Sequence, residues 1–137
     1  MLLTGVAADR PLMSLYLEFA GLKTGAEFQF RGSAMIKVSV MYPNTPDAHF
    51  DFDYYQNKHM PLVKARLGDA CKSCGIDKGL AGDNPGAPAT YIAIGHVLGE
   101  SIEALEAAYA PHADEIMGDI TNFTNITPIA QVSEVLL

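Results

Sequence analysis

The chain has 137 residues, 49% of them hydrophobic and 18% charged, with a net charge of −7 at neutral pH. That is the composition of a globular chain long enough for one hydrophobic core, and it excludes a disordered one. The acidic balance argues against nucleic acid or an anionic membrane as partner, because both attract basic surfaces. No apolar run approaches the roughly 20 residues that a membrane-spanning helix needs. The start, MLLTGVAADRPL, lacks a basic region, and its apolar stretch is too short for an export signal. The expectation is a cytoplasmic protein with reduced cysteines.

Residues 1–34 differ from the rest of the chain. MSLYLEFA and AEFQFRG alternate in polarity and are joined by GLKTG, a pattern that predicts a β-hairpin. Arg10, Lys23 and Arg31 balance Asp9, Glu18 and Glu27, so the whole net charge belongs to residues 35–137. A hairpin alone is marginal in water, so this extension must dock on a sheet or a subunit; the other reading is an upstream start codon adding a segment of little function.

From Met35 the order is legible. IKVSVMY (36–42) alternates and is rich in Val and Ile, which predicts a strand. A turn-rich loop, PNTPDAH, leads to FDFDYYQNKHMPLVKARL (50–67), a helix with Asp51 as its N-cap and Asp53 in its first turn. Phe50 and Tyr55 are placed to form a hydrophobic staple. Phe52, Tyr55, His59, Leu62, Val63 and Arg66 recur at three- and four-residue spacing, so they share one face. Pro61 removes a backbone donor and predicts a kink or a helix restart beside His59.

Residues 70–80 form a second, glycine-weakened strand. AGDNPGAPAT is a loop, and YIAIGHVL (91–98) is a third strand. Ser101 caps a helix, IEALEAAYA, with Ile102, Leu105 and Tyr109 inward. Pro111 opens a short helix, HADEIMGDI, and ITPIAQVSEVL (126–136) is the last strand. Pro128 within that run predicts a bulge or an edge position. Cys71 and Cys74 form a lone CxxC without a second ligand pair. In extended structure the two would face opposite ways, which favours incidental thiols.

The order β α β β α β is the split βαβ, or ferredoxin-like, motif. It predicts an α+β fold with an antiparallel four-stranded sheet and both helices on one face. The other face would be left bare and apolar, so the economical assembly is a homodimer whose sheets close into a barrel around a cavity for a hydrophobic small molecule.

Residues 35–137 resemble the EthD family of the dimeric α/β-barrel superfamily. The resemblance is carried by MIKVSVMYPN, FDFDYYQNKHMPLV, GIDKGLAG, YIAIGHV, PHADEIMGDITNFTNITP and QVSEV, with the YYxxKHMPL segment the most specific. It implies a ferredoxin-like monomer, a dimer, and a hydrophobic cavity near the helix bearing His-Met-Pro. The family is named for an association with bacterial ether degradation beside an oxygenase. Similar domains include polyketide dehydratases and cyclases and muconolactone-type isomerases.

His59 has three readings: an acid/base catalyst, a group that orients a ligand, or a satisfied core histidine. Its ordinary pKa near about 6.5 suits proton transfer at neutral pH. Tyr55, one turn earlier, is placed to orient the ring or a bound carbonyl, whereas Tyr54 and Asp53 point elsewhere. His96 alternates with Ile92, Ile94 and Leu98 and is a candidate ligand-binding residue. Phe123 and Asn125 are candidates for closing the cavity mouth, though Asn125 equally suits a turn. No GxGxxG, Walker loop, HExxH or GxSxG is present, so no cofactor or metal is expected, and nothing selects for haem. Two function classes remain. One is a cofactor-free isomerase, dehydratase or cyclase in which His59, aided by Tyr55, moves a proton. The other is an accessory protein that binds a hydrophobic metabolite.

Overall fold

The computed structural model describes residues 35–137, and the expected hairpin of residues 1–34 lies outside the described residues. The elements in order are β1 (Met35–Pro43), α1 (Phe52–Tyr54), a π-turn (Tyr55–His59), α2 (Met60–Leu67), β2 (Ser73–Lys78), β3 (Tyr91–Gly99), α3 (Ile102–Tyr109), α4 (Ala113–Asp119) and β4 (Ile129–Val135). Four strands pair antiparallel in the order β2-β3-β1-β4. This is the α+β, ferredoxin-like arrangement that the element order predicts. Pro128 falls just ahead of β4, which is an edge strand, so its missing donor disrupts no ladder.

Strand alternation divides the side chains between two faces. Ile36, Val38, Val40 and Tyr42 of β1 turn towards the helices, and Val38 and Tyr42 stand opposite Val97 and Ala93. They build two adjoining cores. One joins Ile36 and Val38 to Val63, Leu67, Ile102 and Leu105. The other joins Tyr42 to Tyr55, Met60, Phe123 and Ile126, with Val40 packed against both. Each large side chain removed from water here contributes roughly 1.5–3 kcal/mol. The opposite face, with Ser39, Met41, Ile92, Ile94, His96 and Ile129, carries no buried residue. Among the described residues no helix is long and apolar enough to cross a membrane.

The long helical stretch starts as expected. Asp51 Oδ1 accepts from the Tyr54 amide at 3.0 Å, and the Phe50 and Tyr55 rings meet edge-on at 4.9 Å. Its middle departs from a regular helix. The Met60 amide reaches back five residues to the Tyr55 carbonyl, and Pro61 then sits in the first turn of α2. Widening the preceding turn relieves the clash that a proline ring makes with the carbonyl four residues earlier. The extra residue also rotates the buried stripe. Met60 and Leu67 turn inward, while Arg66, expected on the apolar face, lies outside and grips Glu115 through two bonds of 2.7 and 2.9 Å.

Candidate active site

The π-turn sets Tyr55 and His59 on the buried side of the helix, with 2% and 4% of their surfaces exposed. Their rings lie nearly parallel, with centroids 5.5 Å apart. Phe123, fully buried, packs against both, at 4.6 Å from His59 and 4.9 Å from Tyr55.

His59 Nδ1 is 2.8 Å from Oδ2 of Asp119, at the end of α4. Asp119 is held in turn: its Oδ1 accepts from the Tyr54 hydroxyl at 2.7 Å and from Asn122 Nδ2 at 2.9 Å. Burial alone would raise the Asp119 carboxyl, but the hydrogen bonds from Tyr54, Asn122 and His59 outweigh it and hold the group below the ordinary carboxylate range. Burial pushes His59 below its ordinary 6.5, against the opposing pull of Asp119. The imidazole is therefore neutral at pH 7. An ionised Asp119 accepts the Nδ1–H, which leaves the Nε2 lone pair as an acceptor. No described residue hydrogen-bonds Nε2.

Tyr55 and His59 border an apolar cavity of about 100 Å³. Its floor is a row of small side chains across the sheet, Gly95 and Ala130 on either side of Val40. Its roof is helical, with Met60, Val63, Ile116 and Ile120. A Cβ at Gly95 would overlap the Tyr55 hydroxyl, so the missing side chain is what lets that ring lie flat on the strand. The Tyr42 hydroxyl hydrogen-bonds that of Tyr55. Burial raises both phenols above the ordinary tyrosine range.

The cavity lies between sheet and helices within one chain, whereas apolar alternation on both strand faces had pointed to one between two sheets. His96 belongs to the opposite face: its ring lies over Gly75, and Nε2 is 3.1 Å from Asp77 Oδ2. It nevertheless borders the cavity, on the strand between Gly95 and Val97. Asn125 is occupied as a loop clasp: Oδ1 accepts from the His49 amide at 3.0 Å and Nδ2 donates to the Asp47 carbonyl at 2.9 Å. Phe123 is core packing behind His59 and not a door, because no solvent reaches it. Cys71 falls ahead of β2, so strand alternation does not separate the thiols; both are free, and burial raises the Cys71 thiol, which lowers its reactivity. Among the described residues no group of three or more His, Cys, Asp or Glu is arranged to hold a metal ion.

Sequence reasoning missed Asp119 and set Tyr54 aside. The one signal available was an acidic residue ending the helix that precedes the Phe123 loop, and it does not name its partner 60 residues away.

A family model, the EthD domain, matches residues 43–127. Among solved structures, an EthD-like protein from Ralstonia eutropha JMP134 is 50% identical, with a TM-score of 0.74 over 77% of this chain and 95% of its own. An ethyl tert-butyl ether D (EthD) family protein from Bacillus halodurans C-125 is 18% identical, with a TM-score of 0.58 over 74% of this chain and 99% of its own, a likeness of fold. No curated protein matches the chain. The matched segment lies wholly within the described residues and spans more than half of the chain, and the chain belongs to the EthD family.

Proposed function

We propose that the protein takes a small, apolar, oxygen-bearing molecule into the helix-side cavity and moves a proton on it, with His59 Nε2 as the base. The observation that carries this is the Asp119–His59 pair at the wall of an apolar cavity. A core histidine needs only to be satisfied. Here a carboxylate braced by Tyr54 and Asn122 fixes the ring so that its lone pair has no partner among the described residues. Burial keeps that lone pair unprotonated at neutral pH, and the carboxylate stabilises the imidazolium once a proton arrives. Every group this step uses belongs to the chain, so a proton transfer needs no cofactor.

Size limits the ligand. At about 100 Å³ the cavity is smaller than the roughly 150 Å³ apolar cavity known to take benzene. A single small ring or a short branched chain is the upper limit without movement of α2 or α4. The reaction classes that fit are isomerisation, dehydration and cyclisation. A second copy is proposed to cover the uncovered sheet face, giving a homodimer, with His96 near that contact.

His59→Ala tests the reading. Turnover of an accepted substrate falls by roughly two to four powers of ten while the fold persists. If only affinity changes, the protein is instead a non-catalytic carrier for a hydrophobic metabolite. The overwhelmingly apolar lining favours that second reading.

A further inference from the structure

We infer that the ligand is a neutral carbonyl compound with an acidic α-hydrogen, its oxygen held by the Tyr55 hydroxyl, which Tyr42 orients. The inference rests on the reading of His59 as base and adds the substrate class and a positioning residue.

Charge comes first. None of the cavity-lining residues is Lys, Arg, Asp or Glu, and the Asp119 carboxylate stands behind His59. A carboxylate or phosphate ligand would be buried without a counter-ion beside a like charge, at a cost of several kcal/mol (order of magnitude). The ligand is neutral.

Donors and acceptors come next. His59 Nδ1–H is spent on Asp119, so the imidazole offers the cavity an acceptor only. The Tyr42 and Tyr55 hydroxyls share one hydrogen bond, so one O–H of the pair is left to donate, and Tyr55, whose ring lies beside His59, is the one placed to share a ligand with the base. Both tyrosines border the cavity and are fully buried. With Tyr42 donating to it, the Tyr55 hydroxyl is polarised and makes the stronger bond.

Placement separates the two groups. The Tyr55 hydroxyl is anchored at Gly95 on β3, and the imidazole at Asp119 on α4. They address different atoms of one ligand. A single alcohol oxygen would have to serve both, and an ether or a hydrocarbon gives the base nothing to take. A carbonyl oxygen and its α-C–H meet both needs.

The step balances within the ligand. Nε2 takes the α-proton, and the C–H electron pair becomes the new C=C bond. The C=O π pair moves to oxygen, and the resulting enolate is stabilised by the Tyr55 O–H. Where a β,γ double bond extends the enolate to a dienolate, return of the proton to the γ-carbon gives the conjugated isomer, and nothing is oxidised or reduced. Both phenols stay protonated across the working range, so Tyr55 acts as donor throughout.

The test uses the full chain with cyclopentanone, cyclopentanol and cyclopentane as probes, binding followed by chemical shifts of the cavity methyl groups. The wild type should prefer the ketone to the hydrocarbon by at least tenfold. The preference should vanish in Tyr55→Phe and fall severalfold in Tyr42→Phe, with unchanged melting behaviour as the control for folding. A ketone bound no better than cyclopentane, including no binding of either, overturns the inference. So does a preference that survives Tyr55→Phe. Solvent deuterium entry at the ketone α-carbon is read separately: it should stop in His59→Ala and slow in Tyr55→Phe. Absent exchange with an intact, Tyr55-dependent preference sinks the base reading alone.

Discussion

At the residue scale the deciding feature is the order in which protons are committed. Asp119 accepts from three donors, the His59 Nδ1–H is one of them, and Nε2 is left as a lone pair at an apolar wall. His59 and Tyr55 were legible because helical spacing places them together. Asp119 was not, because nothing in the sequence pairs a helix-terminal aspartate with a residue 60 positions away. Helical spacing turns Tyr54 away from its neighbour Tyr55, yet the side it faces is where Asp119 stands. Replacing Asp119 with Asn removes the influence that holds the His59 pKa up. The His59 pKa should then fall further, and the Nδ1–H form should give way to a tautomer mixture; an NMR pH titration reads both. The sign for stability follows from the depressed pKa of His59. Its contribution is complete above the ordinary 6.5 and is lost as the pH falls through that value towards the folded pKa, so denaturation midpoints should decline on that side in the wild type and stay flatter in His59→Gln.

At the element scale, the π-turn and the small-residue row make the cavity. The sequence showed that Pro61 disturbs the helix but not that the turn before it widens. Of the kink or helix restart that Pro61 predicts, the restart is what forms, at Met60 after a widened turn, and the extra residue exchanges Arg66 for Met60 and Leu67 on the buried side. The row Gly95–Val40–Ala130 was invisible because strand register is not readable from one sequence. Filling that floor should separate stability from binding. Ala130→Ile should raise unfolding free energy by roughly 0.5–2 kcal/mol, as cavity-filling changes commonly do, while abolishing ligand binding. A denaturant melt and a binding titration on the same variant check it. Gly95→Ala should do the reverse to Tyr55, displacing its hydroxyl at a cost of roughly 1–3 kcal/mol.

At the scale of the whole molecule, the fold was the most legible property, because alternating strands and amphipathic helices in βαββαβ order leave few topologies. The location of the cavity was not, since periodicity shows that a strand has two faces and not which one stays unfilled. The uncovered face is also more polar than expected, with Lys37, Ser39 and Gln131 among its apolar residues. Ile129 is 51% exposed there, and Met41 stands opposite Ile94. We expect sedimentation at micromolar concentration to give a species of twice 14.7 kDa, and Ile94→Asp to halve it. The central claim is that this fold builds an apolar chamber whose wall holds a neutral, pre-oriented base. It is tested most directly by the nitrogen-15 signals of the His59 ring at pH 7. The account predicts a neutral imidazole protonated at Nδ1, with a pKa below 6.5. An Nε2–H tautomer, or a ring already protonated at that pH, would contradict it.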